Sequence, residues 1–281
     1  MQVIDAHHHL WALATPGHVW PGPAEPTIHR DFGIDDLILD AGDVPLASTV
    51  LVQSQPTDAD TDWLLEIAAA SPIIGAVVGW VNLAESTAPA RIAALAKHPK
   101  LRGLRPMLQG IADTDWLLDP ALEPGLRAML EHGLRLDALA QPRHLPMLAR
   151  FADIWPGLPV VIDHGAKPLI ASGVFDPWSD DIAALAARGF WCKLSGLRTE
   201  QLPGASAQNL APYVEHLVAT FGGRLMWGSD WPVLHLTGDS PGQWFGDADR
   251  LAGRRGAARE RLFAGAAREF YGLGADSCAS C

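Results

Sequence analysis

Eight short apolar runs rich in β-forming residues recur along the chain with helical segments between them, and no other feature narrows its fold as far. They lie at Val3–Ala6, Ser48–Val52, Ile73–Trp80, Leu101–Arg105, Leu134–Asp137, Pro159–Asp163, Phe190–Leu194 and Leu225–Gly228. Alternation of this kind predicts a parallel sheet built from βαβ units. The intervening segments carry helix-end signals. Asp119-Pro120 opens one that Gly133 stops, and Asp176-Pro177 opens another that Gly189 stops, in keeping with residue preferences at helix ends. Further helices are expected over Ile34–Asp40, Asp60–Ala70, Pro89–Lys97, His144–Ile154, Ala211–Phe221 and Ala257–Tyr271. Eight strand–helix units in 281 residues predict an α/β protein of one domain, a (β/α)8 TIM barrel spanning 1–281, with 275–281 as a flexible tail. A doubly wound sheet would bring fewer strands and a Gly-rich phosphate loop, and none follows any strand here.

A formal charge of −11 argues against a nucleic-acid partner, which needs a clustered cationic surface. No apolar run approaches the ~20 residues that cross a bilayer, so no membrane partner is expected. A strand beginning at Val3 leaves no room for a signal peptide, and the expected location is the cytoplasm. Of the three cysteines, Cys278 and Cys281 sit in a small-residue tail without a second ligand pair, which reads as inert.

In a barrel of this type the reactive groups gather at the carboxyl ends of the strands. The first strand runs into Asp5-Ala6-His7-His8-His9, the fourth ends in Arg105, the sixth leads to His164 and Lys167, the seventh carries Lys193, and the eighth leads to Asp230. Strict alternation puts Val3, Asp5, His7 and His9 on one face with His8 opposed. The same parity places His164 with Val160 and Ile162, leaving Asp163 opposed, and places Asp230 with Met226 and Gly228. Gly228 leaves room for a ligand or backbone to come close.

His7, His9, His164 and Asp230 form an N and O ligand set suited to one divalent ion, zinc by preference. A metal-independent route, with a base and an electrophile alone, stays open. Gln53, Trp80 and Trp231 lie beside these residues and are candidates for substrate contact, with Lys167 and Lys193. Long Pro/Gly-rich segments after the first strand ("ALATPGHVWPGPAEPTIHRDF") and the eighth ("PVLHLTGDSPGQWFGD") are expected to be functional loops.

Taken together, "VIDAHHHLW", "GLRPMLQ", "GLRLDALAQPRHLPML", "VIDHGAKP", "CKLSGL", "LMWGSDWPV" and "FAGAAREFYGL" resemble the amidohydrolase superfamily. The branch they resemble is the amidohydrolase-related one, which holds the L-fuconolactonase-like and L-rhamnonolactonase-like sugar lactone hydrolases. The resemblance implies a metal-dependent-hydrolase-like barrel, a His-x-His at His7 and His9, a strand-six His at His164 and a strand-eight Asp at Asp230. It implies hydrolysis of a sugar lactone or similar small lactone, with Asp230 activating water and His164 and Arg105 assisting the acyl oxygen. Strand four ends in Arg105, where metal-rich members have a carboxylate or modifiable lysine, and strand five ends in Asp137 in place of a histidine. At most one ion is therefore expected. The alternatives are an amidohydrolase-type decarboxylase of a small unsaturated or aromatic acid, and a non-catalytic sugar-acid binding protein. The sequence leaves a homodimer open.

Overall fold

Every one of the eight runs forms a parallel strand, and the strands follow one another in sequence order around the sheet. In the computed structural model, which describes residues 1–274, they are β1 (Val3–His8), β2 (Leu46–Val52), β3 (Ile74–Gly79), β4 (Leu101–Leu104), β5 (Arg135–Ala138), β6 (Val160–Ile162), β7 (Trp191–Leu194) and β8 (Leu225–Trp227). The sheet closes past the strand ends. A parallel bridge joins His8 to Trp231, with Asp230 N donating to His7 O at 2.8 Å and His9 N to Trp231 O at 2.7 Å. Cys278, Cys281 and the expected tail lie outside the described residues.

Helices α1 (Ile34–Ala41), α2 (Asp58–Ala70), α3 (Ala88–Leu95), α4 (Glu123–Glu131), α5 (Leu145–Ile154), α6 (Trp178–Ala187) and α7 (Ala211–Phe221) alternate with the strands. Among the described residues no helix is long and apolar enough to cross a membrane. The stops at Gly133 and Gly189 hold, with φ of +64° and +89°, where glycine carries no Cβ penalty. The starts shift: Asp119 accepts from Ala121 N to cap a short 3-10 turn at Pro120–Leu122, and α4 begins after it.

The expected loop after β8 is corrected in its second half. Ser240 accepts from Gln243 N while Gln243 caps back, and Pro241 takes the first helical position of α8 (Pro241–Ala252). This is a full capping box with proline at N1. The expected closing helix divides into α9 (Gly256–Glu260), a π-helical turn at Arg261–Gly265, and α10 (Ala266–Tyr271).

Two apolar clusters sort the strand faces. Val3, Leu51, Val77, Val160 and Ile162 pack in the large cluster shared with the helices. Ile4, Ala6, Val50, Val52, Ala76, Val78, Val161 and Met226 pack with Phe270 and Tyr271 in a second one inside the barrel. Alternation therefore fails on β1. Ile4 and Ala6 point inward, and a register irregularity between Asp5 and His8 shifts the phase so that His7 also enters.

Candidate active site

Three imidazoles surround one carboxylate oxygen at the carboxyl end of the barrel. Asp230 Oδ1 lies 3.7 Å from His7 Nε2, 3.6 Å from His9 Nε2 and 3.8 Å from His164 Nε2. The structure thus brings together the four residues from strand ends one, six and eight. His8 points away, bonded to Thr49 Oγ1 at 2.9 Å.

Parity misplaces the sixth strand, and backbone strain restores its histidine. Asp163, in phase with inward Val161, enters the barrel, 2.9 Å from Lys193 Nζ and 3.4 Å from Arg105 Nη1. His164, Gly165, Ala166 and Lys167 then take φ values of 55°, 58°, 60° and 50°, a left-handed turn closed by Lys167 N donating to His164 O at 2.9 Å. That turn swings His164 into the site. Non-glycine residues pay about 1–2 kcal/mol each for this conformation, and such strain concentrates at functional sites. Asp230 is also left-handed, at φ 58°.

Each ligand has a support that the sequence reading missed. His9 Nδ1 donates to Val52 O at 2.8 Å, so its Nε2 lone pair faces inward, and His164 Nδ1 is held by Ser195 Oγ at 2.8 Å. Asp5 accepts from Ser229 N, Ser229 Oγ and His7 N, tying β1 to the turn that carries Asp230. Gly196 (φ +61°) sits where a Cβ would lie 2.5 Å from His164 Nδ1, and a Cβ at Gly228 would lie 2.7 Å from His7 Cβ. The close approach expected at Gly228 is made by the β1 backbone.

Burial sets the charges. It lowers His164 to about 4 and carries His7 well below its ordinary value with the help of Lys193, so both are neutral near pH 7. Burial alone would raise Asp230, but the surrounding imidazoles, His164 foremost, outweigh it and hold the carboxyl well below the usual range. The carboxylate is ionised.

Above these groups a cavity of roughly 570 Å³ opens, lined by Arg105, Lys167, Trp20, Trp80, Met107 and Trp116 among others. Three expected substrate contacts are corrected. Lys193 is fully buried on Asp137 and Asp163, with Nζ–O distances of 2.6 and 2.9 Å. Gln53 is fully buried and donates to Arg105 O at 3.1 Å. Trp231 is fully buried with Nε1 donating to Asp40 Oδ2 at 2.7 Å. None of the three lines the cavity. Trp80, Lys167 and Arg105 do, Lys167 paired with Glu200 at 3.3 Å. In place of Gln53, the neighbouring Gln55 reaches across, accepting from Val19 N and Trp20 N at 3.0 and 3.3 Å and holding the first loop over the mouth.

The donor set fits a divalent ion of borderline softness. His7, His9 and Asp230 present ligand atoms within 4.8 Å of one another. Asp137, Asp163 and Asp230 are buried here with Lys193 and Arg105, three carboxyls to two cations, an acidic excess that suits a cation. A second group, His7, Asp163 and His164, is as close, but the Lys193 ammonium already stands between its members.

The amidohydrolase family profile matches residues 4–273. An L-fucono-1,5-lactonase of Burkholderia ambifaria is 47% identical over 274 residues, covering 95% of this chain and 94% of that protein. An L-fucono-1,5-lactonase of Burkholderia multivorans is 32% identical over 285 residues, covering 96% of each. A crystal structure of a Burkholderia multivorans amidohydrolase with bound zinc superposes with a TM-score of 0.89 at 31% identity, covering 98% of this chain and all of that one.

Proposed function

The chain belongs to the amidohydrolase family and hydrolyses the ring ester of a lactone; from that premise we propose that its substrate is a sugar 1,5-lactone of the L-fucono kind, opened by water that Asp230 deprotonates. The observation that carries this reading is the single ionised carboxylate oxygen ringed by three imidazoles beneath a cavity wide enough for a six-membered ring.

Asp230 takes the proton of the attacking water as the oxygen closes on the acyl carbon. Positioned general bases contribute ~10²–10⁴ in rate. Electrophilic help at the carbonyl oxygen supplies a further part. Arg105 lines the cavity beside Asp230 and is placed to donate to that oxygen, and loss of one such donor costs about 3–4 kcal/mol. Breakdown of the tetrahedral adduct expels the ring oxygen, which takes a proton from the protonated Asp230. The product is the hydroxy acid and the carboxylate returns to its starting state. Trp80, with Trp20 and Trp116, offers apolar faces to the ring, and Lys167 lies within the same wall.

His7, His9, His164 and Asp230 are the residues that would hold zinc or a similar dication. When bound, such an ion lowers the pKa of a coordinated water and polarises an acyl oxygen.

The test is a panel of aldono-1,5- and 1,4-lactones followed with a pH indicator, with and without chelator. Turnover that falls by at least ~10² in Asp230→Asn supports the reading; full activity in that variant removes the base. Release of CO2 from an aromatic or unsaturated acid, without lactone turnover, would favour the decarboxylase alternative. Tight binding of a sugar acid without any turnover would favour a binding protein.

A further inference from the structure

Beneath the four site residues lies a layer that touches no cavity. Lys193, from β7, is completely buried. Its ammonium donates to Asp137 Oδ2 at 2.6 Å and meets His7 Nδ1 at 3.1 Å, with Asp163 Oδ1 as a further ion-pair partner at 2.9 Å. Asp137 Oδ2 accepts a second bond, at 2.6 Å, from the Tyr271 hydroxyl of α10. The C-terminal helix thereby holds the lysine from below.

We propose that Lys193 is a positioning residue that fixes which nitrogen of His7 carries the proton, and through it the direction of the hydrogen bonds across the site. An ammonium has donors only. His7 Nδ1 must therefore accept, and the proton of the neutral ring sits on Nε2. That Nε2–H faces His9 Nε2 at 3.2 Å. His9 is free to accept there, because its Nδ1 is committed as donor to the Val52 carbonyl. Lys193, His7, His9 and Val52 thus form one chain of donors running in a single direction. The opposite ring proton would set an N–H against the ammonium at one end of His7 and two lone pairs against each other at the other end. Arg105 Nη1 carries two hydrogens and lies 3.4 Å from both Asp163 Oδ2 and His7 Nε2; the contact to His7 favours the other ring proton, but it is longer than the 3.1 Å from Lys193 and the 3.2 Å to His9 that set the chain.

The chain has a consequence for the ion proposed above, on which this inference otherwise does not rest. Nε2 of His7 can ligate a cation only after its proton moves to Nδ1, where Asp163 Oδ1, 3.4 Å away and without an aligned hydrogen bond, can accept it. Lys193 and the cation compete for opposite ends of one imidazole. Lys193 therefore weakens cation binding while keeping an N–H donor at the centre of the cation-free site.

The experiment is 15N NMR of the full-length, chelator-treated protein labelled at histidine, with His7 assigned by difference from His7→Gln. The expected spectrum has His7 protonated at Nε2; protonation at Nδ1 overturns the proposal, and this measurement needs no Lys193 variant to fold. In Lys193→Met the His7 proton is expected to move to Nδ1, and zinc alone, titrated against a competing chelator, to bind about tenfold tighter or more. An unchanged tautomer in the folded variant, or zinc bound no more tightly than by wild type, overturns it. Lactone turnover is not the readout, so failure here is distinct from failure of the lactonase reading.

Discussion

Replacing Gly196 with alanine tests whether the left-handed backbone around His164 exists to seat that ring. The added Cβ would lie 2.5 Å from His164 Nδ1, 2.6 Å from Cγ and 3.1 Å from Asp230 Oδ2. Carbon contacts settle near ~3.5 Å, so the imidazole must retreat by about 1 Å, giving up the 2.8 Å bond to Ser195 Oγ. The φ of +61° adds about 1–2 kcal/mol for a residue with a Cβ, and overpacking of a full site adds about 1–3 kcal/mol. Reduced freedom of the unfolded chain returns roughly 0.4–1 kcal/mol. The net destabilisation is on the order of 1–4 kcal/mol, a Tm lower by ~2–8 °C in a chain of this size. A 1 Å misplacement of a reacting group costs up to ~10² in rate, so kcat/KM for the lactone should fall by about that much while the fold survives. Calorimetry and the indicator assay measure both quantities. Tm unchanged, with kcat/KM within about threefold of wild type, would refute the reasoning that Gly196 is needed for the His164 ring.

Other perturbations have equally definite signs. Gly228→Ala meets the β1 backbone, with a Cβ 2.9 Å from His7 N, and should lower Tm by several degrees through the β1–β8 seam, read by thermal melts. Gln55→Ala frees the Val19–Trp20 segment from its buried clamp; KM should rise several-fold with kcat within about threefold, and a kcat effect alone would contradict the assignment of Gln55 to the cavity mouth. In chelator-treated protein, His164 at about 4 and His8 at about 3 are buried neutral, so the unfolded chain takes their protons first as pH falls below about 6.5. Each uncompensated proton then lowers stability by ~1.4 kcal/mol per pH unit. Asp5, raised by burial to about 6, acts in the opposite sense, since the folded state binds its proton first between about 6 and 4. Asp60, Asp137 and Asp181, also raised by burial, act with it, while His7, His98 and His144, also lowered by burial, act with His164 and His8. The histidines outnumber the carboxyls, and denaturant melts between pH 7 and 4.5 should show stability falling on acidification, whereas a rise would contradict the neutral burial of these rings. Activity, with Asp230 ionised throughout, should show no acid limb above about pH 5.

The strand count, the helix stops and the convergence of His7, His9, His164 and Asp230 were legible because each rests on a local signal: β-rich runs, glycine beyond a helix end, polar residues at strand ends. What failed was extrapolation of a period through a point where the backbone breaks it. Two-residue alternation assigned Asp5 and His7 to one face, but the irregularity before His8 leaves Asp5 bonded to Ser229 while His7 enters beside Ala6. On β6 the same rule turned Asp163 outward and His164 inward. The strand ends at Ile162, Asp163 is the residue in phase with the interior, and His164 arrives through a left-handed turn that no periodicity encodes. The glycines beside that turn, Gly165 and Gly196, were the available hint, since a strained backbone beside an inward ring needs neighbours without a Cβ.

The corrected substrate contacts share a cause that also explains the site. Lys193, Gln53 and Trp231 carry polar groups at strand ends, as true substrate contacts would, and sequence cannot distinguish a polar group facing a cavity from one facing another buried polar group. The distinction lies in partner supply. Lys193 has Asp137 and Asp163, the Gln53 amide nitrogen has the Arg105 carbonyl, and Trp231 has Asp40, so the donor of each is directed to an acceptor within the protein and away from the cavity. Arg105 and Asp230 line the cavity, and Asp230 faces imidazoles at distances beyond a direct hydrogen bond. By that criterion the groups left for a substrate, a water or an ion are those at the cavity floor, and the layer below them serves to hold His7 in one orientation.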